Sequence, residues 1–435
     1  MNKWTSLQKR TLLLCFVLNM LDGADVLVVS FVAPVLTQEW AVTDAVFGLV
    51  FSSGLAGMTL GALLLAPYAD IWGRKTLIWI ATLIIASGML ASALTTSVEQ
   101  LVALRFWTGL GIGSMLASIA TLASEYAPER YRSFAVATAT AGYPAGAALA
   151  GLAGAWIIPE FGWQGMFVLI GLGSAVMFPI ILFGMPESVQ FLLTRQPRNA
   201  LARANKYLAA QGEQPISHLP SSTSSPAARP PIGRLLQSDL RLSTFLIWGA
   251  FFASFFTLYF LTSWIPRLAV EAGYPLSTAI NGSALFNLGA FIGLLSLAWI
   301  SSRIEIGTLI AAFFLLSAAV MVAFGAKYSP VSVYFAGMIV IGFLIQGGFG
   351  GLYALAAKIY PTDAKTTGVG WSIGIGRLGA VAGPALGGVA ISAGLGIFGS
   401  FALFAIPMVI AAVLTLLVAR LRQTIPANQS IPIQE

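Results

Sequence analysis

Apolar residues run along this chain in stretches bounded by charges, proline or glycine, each close to the ~20 residues an α-helix needs to cross the hydrocarbon core of a bilayer. Twelve such stretches can be read, at 11–35, 44–66, 76–96, 100–122, 133–157, 166–184, 242–265, 278–301, 306–325, 331–356, 367–393 and 397–419. They fall as six, a polar interval, and six. The interval, 186–241, predicts an amphipathic helix from Arg198 to Ala210. After it comes Ser221-Ser222-Thr223-Ser224-Ser225-Pro226, whose composition cannot bury enough apolar surface to order itself. The pattern predicts an all-α polytopic membrane protein of twelve transmembrane helices. Its halves are 1–185 and 242–435, joined by the linker 186–241, and the second half ends in a short tail.

The first stretch carries two carboxylates at its middle, in Leu21-Asp22-Gly23-Ala24-Asp25. An ionised Asp at that depth costs ~2.5–3.5 kcal/mol on insertion scales, so it must face a polar interior and either pair with a cation or take up a proton. Spacing i,i+3 stacks Asp22 and Asp25 on one helix face, with Asn19 a turn earlier on the same side. One carboxylate would suffice to hold two helices together. Two side by side repel, which suits a reversible proton carrier. Two cations, Arg105 and Arg377, also fall inside apolar stretches. Trp248, Phe252, Phe255 and Tyr259 recur at spacings of three and four, with Trp371 in the eleventh stretch, and such a stripe reads either as packing or as pocket lining. The single histidine, His218, lies in the polar interval, so carboxylates must do any proton relay in the membrane.

Composition agrees with a membrane protein: 57% of residues are hydrophobic and 9% charged, with a mean hydropathy of +0.86, against roughly 25% charged in soluble domains. A net charge of +7 and a pI near 9.6 could suggest nucleic acid. The placement of the basic residues removes that reading. With the N-terminus inside, nineteen of the 23 Lys and Arg fall on the cytoplasmic side, including Lys3, Arg74, Lys75, Arg132, Arg229, Lys365 and Arg422, while only Arg267 and Lys327 fall outside. No basic face with interleaved aromatics is left over, and both termini are expected in the cytoplasm. The lone Cys15 excludes an internal disulfide and a thiolate metal cluster. The apolar run after the basic N-terminus is too long for a cleavable signal. No metal-ligand cluster and no nucleophile with a neighbouring base is visible, so no enzymatic activity and no cofactor are expected.

The two halves repeat at an offset of 232 to 233 residues: Gly57 and Gly61 match Gly289 and Gly293, and Pro128 and Arg132 match Pro361 and Lys365. Parallel six-helix repeats are the plan of transporters whose substrate site lies between the halves at the midplane. After the second stretch, Ala66-Pro67-Tyr68-Ala69-Asp70-Ile71-Trp72-Gly73-Arg74-Lys75 resembles the loop between helices 2 and 3 of the major facilitator superfamily, with Ala66 and Ile71 in place of the usual Gly and Arg. Asp70 can cap and pair at helix ends, Gly73 permits the tight turn, and Arg74 can reach neighbouring acids, which together would make a latch. Arg105-Phe106-Trp107-Thr108-Gly109 is similar to the superfamily's RxxxG pattern in helix 4, and Gly142-Tyr143-Pro144-Ala145-Gly146 to its helix-5 glycine-proline pattern. Met185-Pro186-Glu187-Ser188-Val189-Gln190-Phe191-Leu192 looks like the PESxxFL element of sugar porters and organic-acid symporters.

Within that superfamily, Asp22-Gly23-Ala24-Asp25 resembles the DGxD motif of the aromatic acid:proton symporters, and Arg105, Glu125, Lys365 and Arg377 stand where that family carries charged residues. The resemblance implies an inner-membrane importer, acting as a monomer among membrane lipids, of a small organic anion together with protons. The anion would be an aromatic carboxylate such as benzoate or a hydroxybenzoate; muconate, sialic acid or a lactate-like acid is the alternative, and a proton-driven exporter of hydrophobic compounds or a sensor without transport are further rivals. On this reading Asp22, Asp25 and Glu125 serve proton coupling. Arg377, Arg105, Asn19, Tyr143 and Trp371 serve substrate binding, and Asp70, Gly73, Arg74, Arg132 and Lys365 serve gating. Arg105 is expected to pair with Asp25 and leave Asp22 as the more easily protonated partner.

Overall fold

A computed structural model describes residues 4–211, 213–219, 232–301, 303–325, 330–361 and 364–423. The serine run at 221–226 and the cations Lys3, Arg229 and Lys327 lie outside the described residues. Every regular element among the described residues is helical. Helix α1 spans Ser6–Glu39, and α2 spans Asp44–Leu60 and continues through a π turn, Gly61–Leu65, and a 3-10 turn, Ala66–Tyr68, as far as Trp72. Then follow α3, Arg74–Ser92, and α4, Val98–Tyr126. The next stretch, Arg132–Gly184, runs for 53 residues but breaks at Gly162 (φ 69, ψ 176), which divides it into α5 (132–161) and α6 (163–184). The linker holds α7, Val189–Arg195, and α8, Ala200–Gln211. The second half holds α9, Arg241–Glu271; α10, Leu276–Ile300; α11, Ile306–Gly325; α12, Val331–Ile359; α13, Lys365–Ser392; and α14, Gly396–Gln423.

Among the described residues eleven helical stretches are long and apolar enough to span a membrane, and the break at Gly162 makes two spans of one of them. Twelve transmembrane helices in two six-helix halves result. Several outrun their apolar stretches. α1 starts at Ser6, five residues ahead of the apolar run, because Thr5 and Gln8 form a capping box: the Gln8 amide donates to Thr5 Oγ1 at 3.3 Å and the Thr5 amide to Gln8 Oε1 at 2.9 Å. α8 starts two residues later than Arg198, since Gln196 and Asn199 both take positive φ around Pro197 and helix can form only beyond them. Ala200 and Ala204 bury its apolar face against Phe191 and Leu192.

The internal repeat is written in backbone contacts. Gly57 and Gly61 of α2 lie against the carbonyls of Phe106 and Leu110 on α4, and Gly289 and Gly293 of α10 lie against those of Ile339 and Phe343 on α12, the glycines 232 and the carbonyls 233 residues further on. Likewise Gly142 and Gly146 of α5 meet Phe16 and Met20 of α1, while Gly379 and Gly383 of α13 meet Phe252 and Phe256 of α9. No side chain fits at these crossings, so each half is a bundle whose helices touch backbone to backbone.

The halves meet through α2 with α13, α5 with α10 and α1 with α9. Named polar contacts between them gather at the end of the bundle that carries Asp44. There the Arg267 guanidinium spans the Asp44 carboxylate, Nε to Oδ1 at 2.8 Å and Nη2 to Oδ2 at 3.2 Å. The Ala45 amide donates to Ser392 Oγ at 2.8 Å, and Ser52 Oγ to the Val381 carbonyl at 2.7 Å. Trp264, fully buried, packs edge-on against Phe51 at 5.1 Å and donates from Nε1 to the Pro384 carbonyl at 2.9 Å. The opposite end carries Arg74 and the linker helices.

Candidate functional site

The face that α1 turns to the interior is fixed by its contact with α5. Gly23 sits against the backbone of Tyr143, and Gly142 and Gly146 continue the same seam against Phe16 and Met20. The glycine in Asp22-Gly23-Ala24-Asp25 is therefore what lets the two helices touch where the carboxylates lie. Asp22 and Asp25 are each 1% exposed. Asp25 Oδ1 accepts from Arg105 Nη1 at 3.0 Å. Arg105 in turn is held by Ser92 Oγ at 3.3 Å, by Met89 Sδ at 2.8 Å and over the face of Phe167 at 5.2 Å. A cation buried this deeply needs such partners, because an unpaired one costs several kcal/mol. Asp22 has none among the described residues: neither of its oxygens accepts a hydrogen bond there. Asn19 Nδ2 reaches back to the Cys15 carbonyl at 3.4 Å.

From the other half, Arg377 on α13 stands half-buried opposite Asp22. It acts electrostatically on Asp22, Tyr143, Tyr259 and Tyr353, polar groups contributed by α1, α5, α9 and α12. None of the three phenol hydroxyls makes a hydrogen bond among the described residues. Behind them lies an aromatic wall. Tyr259 stacks on Phe255 at 5.8 Å, Phe255 meets Phe349 edge-on at 4.7 Å, and Phe349 meets Tyr353 at 5.4 Å. A carboxylate, a cation, three free hydroxyls and flat apolar walls form a place where a planar anion with polar substituents could be held.

Other expected site residues lie elsewhere. Trp371, 44% exposed, stacks on Trp248 at 6.0 Å, and six residues of helix put it ~9 Å along the axis from Arg377, toward the Arg74 end. Glu125, which the resemblance groups with the proton-coupling acids, ion-pairs with Arg74 at the end of α4 instead of meeting Asp22 or Asp25. Arg132 and Lys365 are exposed at the first residues of α5 and α13, in equivalent places of the two halves.

Around Arg74 the chain builds a second constellation. Gly73 turns between α2 and α3 at φ 98, ψ 150, a conformation that side-chain-bearing residues rarely adopt. Arg74 Nη1 binds both Glu125 and Ser188 Oγ, the latter at 2.9 Å, and Ser188 Oγ donates to Glu125 Oε2 at 2.7 Å. Glu187 Oε1 accepts from the Lys75 amide at 3.0 Å, capping α3, while Arg195 Nε donates to the Asp70 carbonyl at 2.9 Å. Asp70 itself is largely exposed, 4.0 Å from Arg74. The linker thus closes onto the α2–α3 turn. Gly73→Val would strain this turn and drive a methyl against the Glu187 carboxylate. It is expected to slow uptake in vesicles and to leave equilibrium affinity in detergent unchanged, since Asp22 and Arg377 are remote; equal loss of both would make the turn a folding element only.

Sequence reasoning missed Tyr353 and Phe349, which look like any aromatics in a span, and gave Glu187 no role although its motif was visible. Asp44 and Arg267 gave no signal at all, being ordinary helix-end charges.

A model described as the Major Facilitator Superfamily matches residues 13–371. The chain is 35% identical over 390 residues to the 4-hydroxybenzoate transporter PcaK of Pseudomonas aeruginosa, covering 89% of this chain and 87% of that one. It is 34% identical over 419 residues to a gallate transporter of Pseudomonas putida, covering 95% and 92%. Among solved structures, a bacterial homolog of the human lysosomal transporter Spinster in an inward-facing, unoccupied conformation superposes with a TM-score of 0.74 at 16% identity, over 96% of this chain and 98% of that one. A D-xylose-proton symporter superposes with a TM-score of 0.72 at 16% identity, over 94% and 97%.

Proposed function

The chain belongs to the major facilitator superfamily, and on that premise we propose that it carries an aromatic carboxylate into a bacterial cell together with protons. The observation that carries this reading is the electrostatic coupling of Arg377 from one half with Asp22 from the other, which Tyr143, Tyr259 and Tyr353 share. Arg377 receives the substrate carboxylate as a planar fork, the aromatic wall takes the ring, and the phenol hydroxyls answer ring hydroxyls, so a hydroxybenzoate suits the site better than benzoate. The transporters named for 4-hydroxybenzoate and gallate among its relatives support the same class.

Coupling follows from charge. A carboxylate substrate beside Arg377 leaves Asp22 as an excess anion in a dry site, and a proton on Asp22 removes it. Loaded with substrate and proton, the site is neutral and the halves can rock. Empty and deprotonated, the Asp22–Arg377 attraction across the interface neutralises it again. Cotransport of protons also offsets the electrical work against anion entry, ~2.3 kcal/mol per charge per 100 mV.

In this proposal the protein is a monomer in the inner membrane, with both termini and the Arg74 end in the cytoplasm, as the basic loops require. Its halves are 1–185 and 242–435, joined by the linker 186–241. The Asp44 end faces outward, and its closure supports an inward-facing state. Uptake of labelled 4-hydroxybenzoate, gallate, benzoate, muconate and lactate in a strain stripped of its own carriers tests the reading; accumulation of none of the aromatic acids would end it. Arg377→Lys is expected to raise the apparent Kd about tenfold at near-normal expression, because an ammonium loses the two-pronged geometry. Unchanged affinity in that variant would remove Arg377 from the substrate site.

A further inference from the structure

Between Asp25 and the Trp264–Phe51 contact that closes the Asp44 end lies a small chamber that shares Tyr259 with the group around Arg377. It offers about 30 Å³, room for about two water molecules. Apolar side chains of α1, α2 and α4 make most of its wall, among them Val29, Val50 and Met58. Its polar lining is Asp25, Arg105 and Thr108 from one half and Tyr259, Thr262 and Ser263 from the other. Two of these residues each carry a buried atom without a hydrogen-bond partner among the described residues: Asp25 Oδ2 and Arg105 Nε. A dry chamber would leave both at the full cost of desolvation, whereas a polar cavity of this size with several convergent groups is where proteins hold ordered water.

We propose that this chamber is a water site and the port through which protons reach the carboxylate pair from the Asp44 side. The inference rests on the proton-coupled reading above. Asp25 lines the chamber and Asp22 does not; Asp22 lies a turn nearer the Arg74 end of α1. When the Asp44–Arg267 end parts, chamber water joins bulk water on that side. A hydronium there gives its proton to Asp25 Oδ2 and is left as water, while Oδ1 stays with Arg105. The proton then moves to the Asp22 carboxylate, Asp25 returns to its ionised state, and its pair with Arg105 is restored. The charged and titratable groups that face this path are Arg105 from α4, Asp22 and Asp25 from α1, Tyr143 from α5, Tyr259 from α9 and Arg377 from α13.

Gly54 offers a clean probe, because a Cβ there meets nothing nearer than the Arg105 carbonyl at 3.6 Å. Gly54→Ala therefore adds a methyl to the chamber wall without displacing backbone. Hydration is read without any substrate by X-ray radiolytic hydroxyl-radical labelling of the detergent-solubilised protein. Met58, only 3% exposed, should be oxidised in the parent and about tenfold less in Gly54→Ala, since bound water is the radical source. In proteoliposomes Gly54→Ala should slow uptake driven by a pH gradient about tenfold and keep substrate exchange within about twofold, and Gly54→Ser, whose hydroxyl can stand in for water, should recover most of the lost rate. Met58 left unlabelled in the parent would overturn the water site whatever the substrate proves to be. Labelling without any difference between exchange and gradient-driven uptake in Gly54→Ala, or equal rates for the Ala and Ser variants, would overturn the port.

Discussion

Asp22→Asn is expected to abolish accumulation driven by a pH gradient while sparing exchange of labelled for unlabelled substrate. The amide copies the neutral acid in size and hydrogen bonding but can neither release nor take up a proton. A carrier locked in that form can bind substrate, reorient and return loaded, which is all that exchange requires. It cannot return empty, because without the Asp22 charge nothing answers Arg377 when the substrate has left. The environment makes the effect large: Asp22 is 1% exposed and neither of its oxygens has a hydrogen-bond partner among the described residues, while the neighbouring carboxylate, Asp25, is held by Arg105. Proteoliposomes assayed for gradient-driven uptake and for counterflow decide it. Gradient-driven accumulation by Asp22→Asn would refute the assignment, and loss of counterflow as well would mean that the carboxylate also binds substrate.

Asp25→Asn is expected to do something different and more damaging. Asp25 holds Arg105, itself 3% exposed, at 3.0 Å. Removing one partner of a buried ion pair leaves the other charge uncompensated, at a typical cost of ~3–5 kcal/mol. Arg105 keeps only Ser92, Met89 and the Phe167 face. The single variant should therefore fall in yield and thermal stability and lose exchange and accumulation together. Asp25→Asn combined with Arg105→Gln should recover yield and stability but not accumulation, because the double variant removes the stranded charge without restoring the carboxylate. A double variant as unstable as the single one would show that the damage comes from packing around α1 and not from charge. If Asp25→Asn instead exchanges but cannot accumulate, the roles of the two carboxylates are reversed.

The fold was legible because each span declares itself by length. What escaped was where helix continues beyond the apolar run: Thr5 and Gln8 extend α1 by side-chain capping, a local signal that hydropathy does not see. The boundary between α5 and α6 fell in the expected gap, marked in the sequence by Pro159, Glu160 and Gln164, because Gly162 takes the positive φ that ends the helix. The repeat was visible through Gly57, Gly61, Gly289 and Gly293, since backbone contact admits no other residue. In the site, Asp22, Asp25, Arg105 and Arg377 stood out as charges in apolar surroundings. Tyr143 was named through its glycine-proline motif and Tyr259 through its stripe, but Tyr353 was not, because the common reach of the three to Arg377 depends on how three helices of two halves are turned about their axes. Glu125 misled for the same reason. Its partners Arg74 and Ser188 lie 51 residues before it and 63 after it, and only the folded chain shows that the three meet.

The clasp between Asp44 and Arg267 has a consequence for how the carrier rests. Both side chains are mostly shielded but keep an edge in contact with solvent, 11% for Asp44 and 19% for Arg267, so dissolved ions reach the pair and weaken it over a Debye length of ~8 Å. A fastener open to ions biases the two halves by an amount that the medium sets. The orientation in which the empty carrier waits is then set partly by the salt in the surrounding medium, and a cell moved from brine to fresh water would find its carriers waiting more often with the clasp shut.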